Sequence, residues 1–260
     1  MAACECRNTY ASVNHGWIKG IERLKFIQHY SGSEANLYEI VAANGKRLLI
    51  ECGCVWRKLQ KTLQFNLSGI EGCLVSHSHK DHCKAVRDVA KAGIDVYCSH
   101  GTFDALGLDS IRRIGVVPEN TLIRLKSFEV LTFATNHDCE GSLGFVVREK
   151  ATNEFLLFAT DTSHITQQFM YPFSIIALEC SYDRNMLQER VDKGTINETL
   201  AKRLLTSHME IQNSVKYIAD FCDLSHCAEI HLLHLSNDNI DKESAVKEFT
   251  DTFFIKTRTV

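Results

Sequence analysis

The sequence predicts an α/β fold in which two mixed β-sheets pack face to face and carry helices on their outer sides. Apolar runs of strand length recur in both halves of the 260 residues, and segments with helical periodicity lie between them. Polar clusters directly follow several of the apolar runs. We therefore expect an αββα sandwich whose functional side chains lie on loops at strand ends.

The first half begins with a predicted hairpin. Asn44-Gly45 separates two apolar runs, and this dipeptide is typical of a tight hairpin turn. Gly93 follows an amphipathic stretch and marks a helix end. In order, the predicted elements are hairpin strands at 37–41 and 47–51, a helix at 55–63, a buried strand at 72–76, a helix at 84–92, a strand at 95–98 and a short helix at 102–106.

From residue 122 the pattern changes to successive strands. They are predicted at residues 122–125, 129–134, 144–148, 155–160 and 174–180. Two helices, at 195–205 and 213–221, precede a last strand at 229–235. With two prolines and no low-complexity tract, the sequence shows no linker. We expect one domain at residues 26–260 and an N-terminal extension of unassigned role at residues 1–25.

The composition indicates where in the cell the protein is expected and which classes of partner it is expected to bind. No segment has the roughly 18–20 uninterrupted apolar residues of a membrane helix, and the N-terminus lacks the apolar core of a signal peptide. We therefore expect a cytoplasmic protein without a membrane partner; its oligomeric state stays open. The net charge of −3 gives no global attraction for nucleic acid. Local basic groups permit such a substrate without indicating it: Arg57, Lys58 and Lys61; Lys80, Lys84, Arg87 and Lys91; Arg112 and Arg113.

Eleven cysteines are scattered along the chain and predict no disulfide framework. Four lie in or beside apolar runs and are expected to be buried thiols: Cys52, Cys73, Cys98 and Cys180. Cys4 and Cys6 near His15 leave open a small additional metal site, although their spacing matches no usual zinc knuckle.

The most informative segment places three histidines and an aspartate within residues 77–82, directly after an apolar run. Imidazole and carboxylate groups are the usual ligands of zinc, manganese and iron. Residues two apart in an extended segment point the same way, so His77 and His79 can share one metal. Asp81 and His82, past a change of backbone direction, can face a second. The segment therefore predicts part of a two-metal site.

Such a site needs further donors, and three residues follow later strands. These are His137, Asp161 and His234. His208, between two predicted helices, could bind a scissile phosphate or protonate a leaving oxygen, or it could simply cap a helix. His164 could support Asp161 or be an ordinary loop residue, and Glu51, at the end of a strand, could be a supporting carboxylate.

The order His-x-His-x-Asp-His, then His, Asp and His, resembles the ligand motifs of the metallo-β-lactamase superfamily. Residues 31–38, 48–53 and 159–164 look similar to segments of its YycJ/WalJ-like branch. The resemblance implies the superfamily's αββα sandwich and two divalent metal ions, manganese or zinc, with iron possible. By resemblance, the first ion is held by His77, His79 and His137, the second by Asp81, His82 and His234, and Asp161 bridges them. Asp81 and His208 are the candidate catalytic residues.

The branch implies a two-metal phosphodiesterase with a nucleic acid or nucleotide substrate, and more narrowly a 5′-to-3′ exonuclease acting on DNA. Two adjacent cations can acidify a shared water into a bridging hydroxide. A cyclic or other small nucleotide is the alternative substrate and would need a closed pocket rather than an open groove. A metal-stabilised binding module without activity is the non-enzymatic alternative. Asp161 stands where zinc β-lactamases generally use a cysteine, which argues against lactam hydrolysis.

Overall fold

Two mixed β-sheets face each other in the computed structural model, which describes residues 23–260. The first sheet has the order β1-β2-β3-β4-β5-β6. Its first three strands are antiparallel, and β3 to β6 run parallel to one another. Its strands are β1 (Lys25–Tyr30), β2 (Leu37–Val41), β3 (Arg47–Ile50), β4 (Ile70–Leu74), β5 (Val96–Cys98) and β6 (Ile114–Val116). The hairpin turns at Gly45, whose φ of 75° suits glycine.

The second sheet has the order β13-β12-β11-β10-β9-β8-β7. Strands β7 to β10 are antiparallel, and β10 to β13 are parallel. Its strands are β7 (Leu122–Arg124), β8 (Phe128–Ala134), β9 (Leu143–Glu149), β10 (Phe155–Ala159), β11 (Phe173–Glu179), β12 (Glu229–Leu233) and β13 (Lys256–Arg258). The parallel strands of both sheets end on the same side as the functional loops, which is where such sheets usually carry their sites.

Helices cover both outer faces. They are α1 (Trp56–Thr62), α2 (Lys80–Cys83), α3 (Val86–Lys91), α4 (His100–Leu106), α5 (Arg184–Asp192), α6 (Glu198–Ser207), α7 (Ile211–Phe221) and α8 (Lys242–Phe253). Side-chain caps begin several of them: Asp183 and Asn197 accept backbone N–H groups at the starts of α5 and α6, and Asp241 does so for α8.

Of the four apolar clusters among the described residues, three correspond to the three interfaces of the sandwich, and a small fourth one lies at α5 and α6. The central core joins the inner faces of the two sheets, where Tyr38 and Phe26 meet Phe158. A second core packs α1 and α3 on the first sheet, with Leu59 and Val89 fully buried. A third packs α7 and α8 on the second sheet. The predicted sandwich of two mixed sheets flanked by helices is therefore confirmed.

Several local predictions are corrected. The strand at 229–233 is not the last, because β13 pairs with it in parallel. The helix expected at 84–92 is shorter, since α3 covers only Val86–Lys91, and the short helix α2 at Lys80–Cys83 was not predicted. Strands β1 and β6 and helices α5 and α8 were not predicted. Cys4, Cys6 and His15 lie outside the described residues.

Two further predictions concern the cysteine side chains and membrane-spanning helices. Cys52, Cys73, Cys98 and Cys180 are fully buried thiols, as expected. Within residues 23–260, no helix combines the length and apolar character needed to span a bilayer.

Candidate metal centre

The histidine-rich loop leaves β4 at the edge where the two sheets meet, and neighbouring backbone holds it. Asp81 O accepts the backbone N–H of Asn36 at 2.7 Å, and His82 O accepts that of Cys52 at 2.8 Å. Gly53 lies so close that a Cβ there would be 1.5 Å from Asp81 O. Only glycine permits this approach, so the segments after β1 and β3 fix the position of the loop.

A first group of nitrogen donors converges beside this loop. His79 Nδ1 lies 3.1 Å from His77 Nε2 and 3.2 Å from His137 Nε2. The outer nitrogens have their own partners: His77 Nδ1 contacts Ser76 Oγ at 2.8 Å, and His137 Nδ1 donates to Ser207 O at 2.9 Å. A carbonyl acceptor on one ring nitrogen leaves the other as a lone-pair donor, which is the usual arrangement of a metal-binding histidine.

A second group lies on the other side of Asp161. His82 Nε2 is 3.2 Å from Asp81 Oδ2, and a ligand atom of His234 lies within 4.8 Å of both. His82 Nδ1 faces the fully buried Glu51 carboxylate at 3.5 Å. Glu51 therefore stands in the supporting position that the sequence suggested, behind a histidine of the loop.

Asp161 is the residue shared by the two groups. Its Oδ2 lies 3.9 Å from His77 Nε2, 3.7 Å from His137 Nε2 and 3.5 Å from His82 Nε2. Its Oδ1 lies 3.6 Å from His234 Nε2. Both Asp161 (φ 47°) and His234 (φ 54°) have left-handed backbone conformations, which are uncommon without glycine and concentrate at functional sites.

The donor set fits divalent metal ions. Tetrahedral zinc bound at about 2.0–2.1 Å places its nitrogen ligands roughly 3.3 Å apart, close to the spacing in the first group. Among the described residues, His234 Nε2 is a buried nitrogen with no hydrogen-bond partner, and it is aimed at Asp161. A buried polar atom without a partner is costly, and a cation between these groups would satisfy it.

Electrostatics favours the ligand forms of His77 and Asp161, whereas His82 is protonated and would have to lose its proton to a bound cation. Burial, reinforced by the nearby His82, keeps the pKa of His77 well below its usual value, so that its ring is neutral. Burial alone would raise the pKa of Asp161, but His234 and His82 hold it well below its usual value. The pKa of His82 is lowered by burial and raised more by Asp161 and Glu51, so this ring favours a positive charge at its side of the site.

A histidine–glutamate pair lies at the rim of the two groups. His208 Nδ1 is 2.6 Å from Glu179 Oε1, and the His208 ring stacks on His234 with centroids 5.2 Å apart. Burial lowers the pKa of His208, but the Glu179 carboxylate raises it more, to about 9. The other oxygen of Glu179 accepts the backbone N–H of Thr162, next to Asp161.

Every metal ligand expected from the sequence thus lies at this centre, together with His208. His164 does not: its side chain is exposed and contacts Ser163 rather than Asp161. Sequence reasoning missed Glu179 and Cys139. Glu179 carries the same signal that identified Asp161, a carboxylate at the end of an apolar strand. Cys139 Sγ lies 3.1 Å from His79 Nε2, and only its place two residues after His137 could have indicated this.

The centre opens into a cleft of about 1160 Å³. Its floor includes His208 and five of the expected ligands, namely His79, Asp81, His137, Asp161 and His234. One wall carries Lys58 of α1 and Lys80 of α2, and the opposite wall is formed by α6 and the end of α5.

Residues 46–227 match the family model described as the β-lactamase superfamily domain. The chain belongs to the metallo-β-lactamase superfamily and is a hydrolase of its metal-dependent class. It is similar to the exodeoxyribonuclease YycJ of Bacillus anthracis, with 26% identity over 232 residues that cover 83% of each protein. The expected resemblance to this superfamily and to YycJ is confirmed.

Two further proteins resemble the chain. The anti-Pycsar protein Apyc1 of Bacillus phage 010DV004 is 27% identical over 157 residues, 58% of this chain and 56% of that protein. The metallo-β-lactamase fold protein YhfI of Bacillus subtilis superposes with a TM-score of 0.70 at 12% identity, covering 92% of this chain and 97% of YhfI. The likeness to YhfI supports the fold.

Proposed function

We propose that the protein is a two-metal phosphodiesterase and that its substrate is DNA, degraded from the 5′ end. The observation that carries the proposal is Asp161, whose two oxygens lie 3.5–3.9 Å from donors of both histidine groups. One carboxylate between two donor groups suits a pair of adjacent cations. DNA is proposed because the relative YycJ is an exodeoxyribonuclease, and the 5′-to-3′ direction because the sequence resembles that branch.

Each residue has a defined task in this proposal. His77, His79 and His137 would hold one ion, Asp81, His82 and His234 the other, and Asp161 would contact both. The catalytic task of Asp81 is to fix the second ion at the site of reaction. Manganese and zinc both suit this mixed nitrogen and oxygen set, and iron fits too. When bound, such a pair of ions generates a nucleophile from water and stabilises negative charge on the phosphate.

His208 would supply the proton for the leaving oxygen. Glu179 keeps this imidazole protonated by raising its pKa to about 9, and the ring lies between His137 and His234 at the floor of the cleft. A protonated donor beside the reacting phosphate is what expulsion of an alkoxide needs.

The cleft is large enough for a nucleic-acid strand, and it also has room for a small nucleotide. Pockets for small molecules usually enclose roughly 300–1,000 Å³ and bury most of the ligand. This cleft measures about 1160 Å³ and extends from the metal centre to the lysines of one wall and α6 of the other.

A substrate panel tests the proposal. Protein loaded with Mn²⁺ or Zn²⁺ is given DNA labelled at the 5′ or 3′ end, RNA, cyclic mononucleotides and bis(4-nitrophenyl) phosphate, with Asp161→Asn as the control for contaminating nuclease. We expect mononucleotide release from the 5′ end of DNA. Selective cleavage of cyclic mononucleotides would replace the strand by a small substrate, and no hydrolysis of any phosphodiester would refute the function.

Two substrates with different leaving groups test whether His208 is the proton donor. The substitution His208→Gln should lower kcat on DNA by about 10²–10⁴-fold, but it should lower kcat on the nitrophenyl ester far less. Nitrophenolate is stable enough to leave without a proton, whereas the sugar alkoxide must be protonated as it leaves. Equal losses on both substrates would contradict the role of proton donor.

A further inference from the structure

The two walls of the cleft differ in how their cations are neutralised. On the α5–α6 wall, Arg203 Nε contacts Asp138 Oδ2 at 2.7 Å, and Arg190 Nη1 lies 3.7 Å from Asp238 Oδ2. Lys58 and Lys80 on the opposite wall are exposed and have no carboxylate within ion-pair distance in the part of the chain that the structure describes. Residues 52–70, which include α1, contain no acidic residue. Glu34 and Asp81 also line the cleft, but neither forms an ion pair with these lysines, so both ammonium groups are available to an anion.

Lys58 is also held in place. Its Nζ lies 4.0 Å from the centroid of the Tyr30 ring, a cation–π contact. The Tyr30 hydroxyl contacts Thr62 Oγ1 at 2.8 Å, and Thr62 Oγ1 in turn donates to Lys58 O. Tyr30 itself lines the cleft. A lysine that is already ordered loses less conformational freedom when it binds an anion than a free one does.

We propose that Lys58 and Lys80 bind backbone phosphates of the substrate strand next to the scissile phosphate, with Tyr30 positioning Lys58. This inference rests on the proposed function and names the wall along which the strand runs. The opposite wall offers apolar side chains of α6, among them the half-exposed Leu200, toward the sugars and bases. Contacts to phosphates carry no sequence information, so the protein should degrade strands of any sequence.

Salt dependence of binding tests the two lysines directly. A labelled single strand with nuclease-resistant phosphorothioate linkages is titrated with metal-loaded protein, and fluorescence anisotropy gives the affinity at several salt concentrations. Each phosphate contact contributes a slope of about 0.7 in the plot of log affinity against log salt for single strands. Lys58→Ala and Lys80→Ala should each reduce the slope by about that amount.

Lys61→Ala is the matched control. Lys61 lies on the same helix as Lys58, carries the same charge and is exposed, but it does not line the cleft. Its removal should leave the slope unchanged. If Lys58→Ala and Lys80→Ala behave like Lys61→Ala, the lysines contribute only a general field and the inference is overturned.

Turnover separates this inference from the proposed function. In Lys58→Ala and Lys80→Ala, kcat/KM for DNA relative to that for bis(4-nitrophenyl) phosphate should fall severalfold, because the small ester has no neighbouring phosphate. If the protein cuts DNA but Lys58→Ala and Lys80→Ala keep the original kcat/KM ratio and the original salt slope, the inference about the lysines is refuted and the proposed function stands. A strand that binds with the lysine-dependent slope but is never cut refutes the proposed function and leaves the binding wall standing.

Tyr30 is tested as a positioning residue through coupling with Lys58. Tyr30→Leu should weaken strand binding about two- to fivefold, as expected for an exposed cation–π contact, whereas Tyr30→Phe keeps the ring and should restore the affinity. In the Lys58→Ala background, Tyr30→Leu should have no further effect. Additive losses would show that Tyr30 does not act through Lys58.

Discussion

Replacing Gly53 by alanine should expel metal from the centre without touching any ligand. The added Cβ would lie 1.5 Å from Asp81 O, 2.1 Å from Asp81 C and 2.8 Å from His82 N. Real Cβ atoms essentially never approach closer than 3.0 Å. The two backbone segments must therefore separate by about 1.5 Å, and the Asp81–His82 peptide carries two proposed ligands of the second ion.

The size of the effect follows from the contacts that this shift breaks. Asp81 O would lose the Asn36 N–H at 2.7 Å and His82 O the Cys52 N–H at 2.8 Å. Overpacking costs about 1–3 kcal/mol and each unsatisfied buried group a further 1–3 kcal/mol or so. With two such groups, we expect a loss of about 3–9 kcal/mol in the free energy of unfolding. Metal ligands tolerate displacements of only about 0.2 Å, so the second ion should be lost even where the fold survives.

Metal analysis after gel filtration, with circular dichroism of the same sample, measures both quantities. Gly45→Ala is the control, because Gly45 has a φ of 75° and open space around it. That substitution should cost about 1 kcal/mol through backbone strain while the metal content stays unchanged. If folded Gly53→Ala protein keeps its full metal content and its melting temperature, the account of how the loop is fixed is wrong.

Four other predictions concern the centre. Asp161→Asn should lower turnover at least 100-fold and reduce bound metal while the circular dichroism spectrum stays unchanged; near-normal turnover would contradict the bridge. Glu179→Gln should slow DNA cleavage about 10- to 100-fold and nitrophenyl ester hydrolysis much less, at unchanged metal content, because His208 loses its charge partner. Cys139→Ala should weaken metal binding about tenfold in chelator competition, since outer partners orient ligating histidines such as His79; an unchanged affinity would make the thiol incidental. Removing metal present at 100 times its Kd should lower Tm by about 5–10 °C in thermal melts, and an equal Tm would show that the ions do not bind the folded state.

The ligands could be predicted because their signal is local. Residues 77–82 place donors at spacings that a single loop can converge, and Asp161 and His234 directly follow buried strands. The same reasoning applies to Glu179 at the end of β11, but a carboxylate between Leu178 and Cys180 reads as part of the strand until its partner is known. That partner, His208, is 29 residues away, and only packing brings the two together.

Elements with a weak pattern escaped prediction. Strand β13 has the sequence Lys-Thr-Arg, and its pairing with β12 depends on a neighbour rather than on its own residues. Strand β6 contains Gly115, which lowers strand propensity. The cleft walls could not be predicted, because they depend on how α6 lies across the sheet ends from α1.

The centre draws its ligands from both sheets: the loop after β4 belongs to the first, and the residues after β8, β10 and β12 belong to the second. Bound ions would therefore link the two sheets. Part of their binding free energy would stabilise the central core against opening. Neither half alone holds a complete donor set. Ion occupancy would consequently report that the sheets have docked, and hydrogen exchange in the inner strands should slow on loading more than exchange in the outer helices.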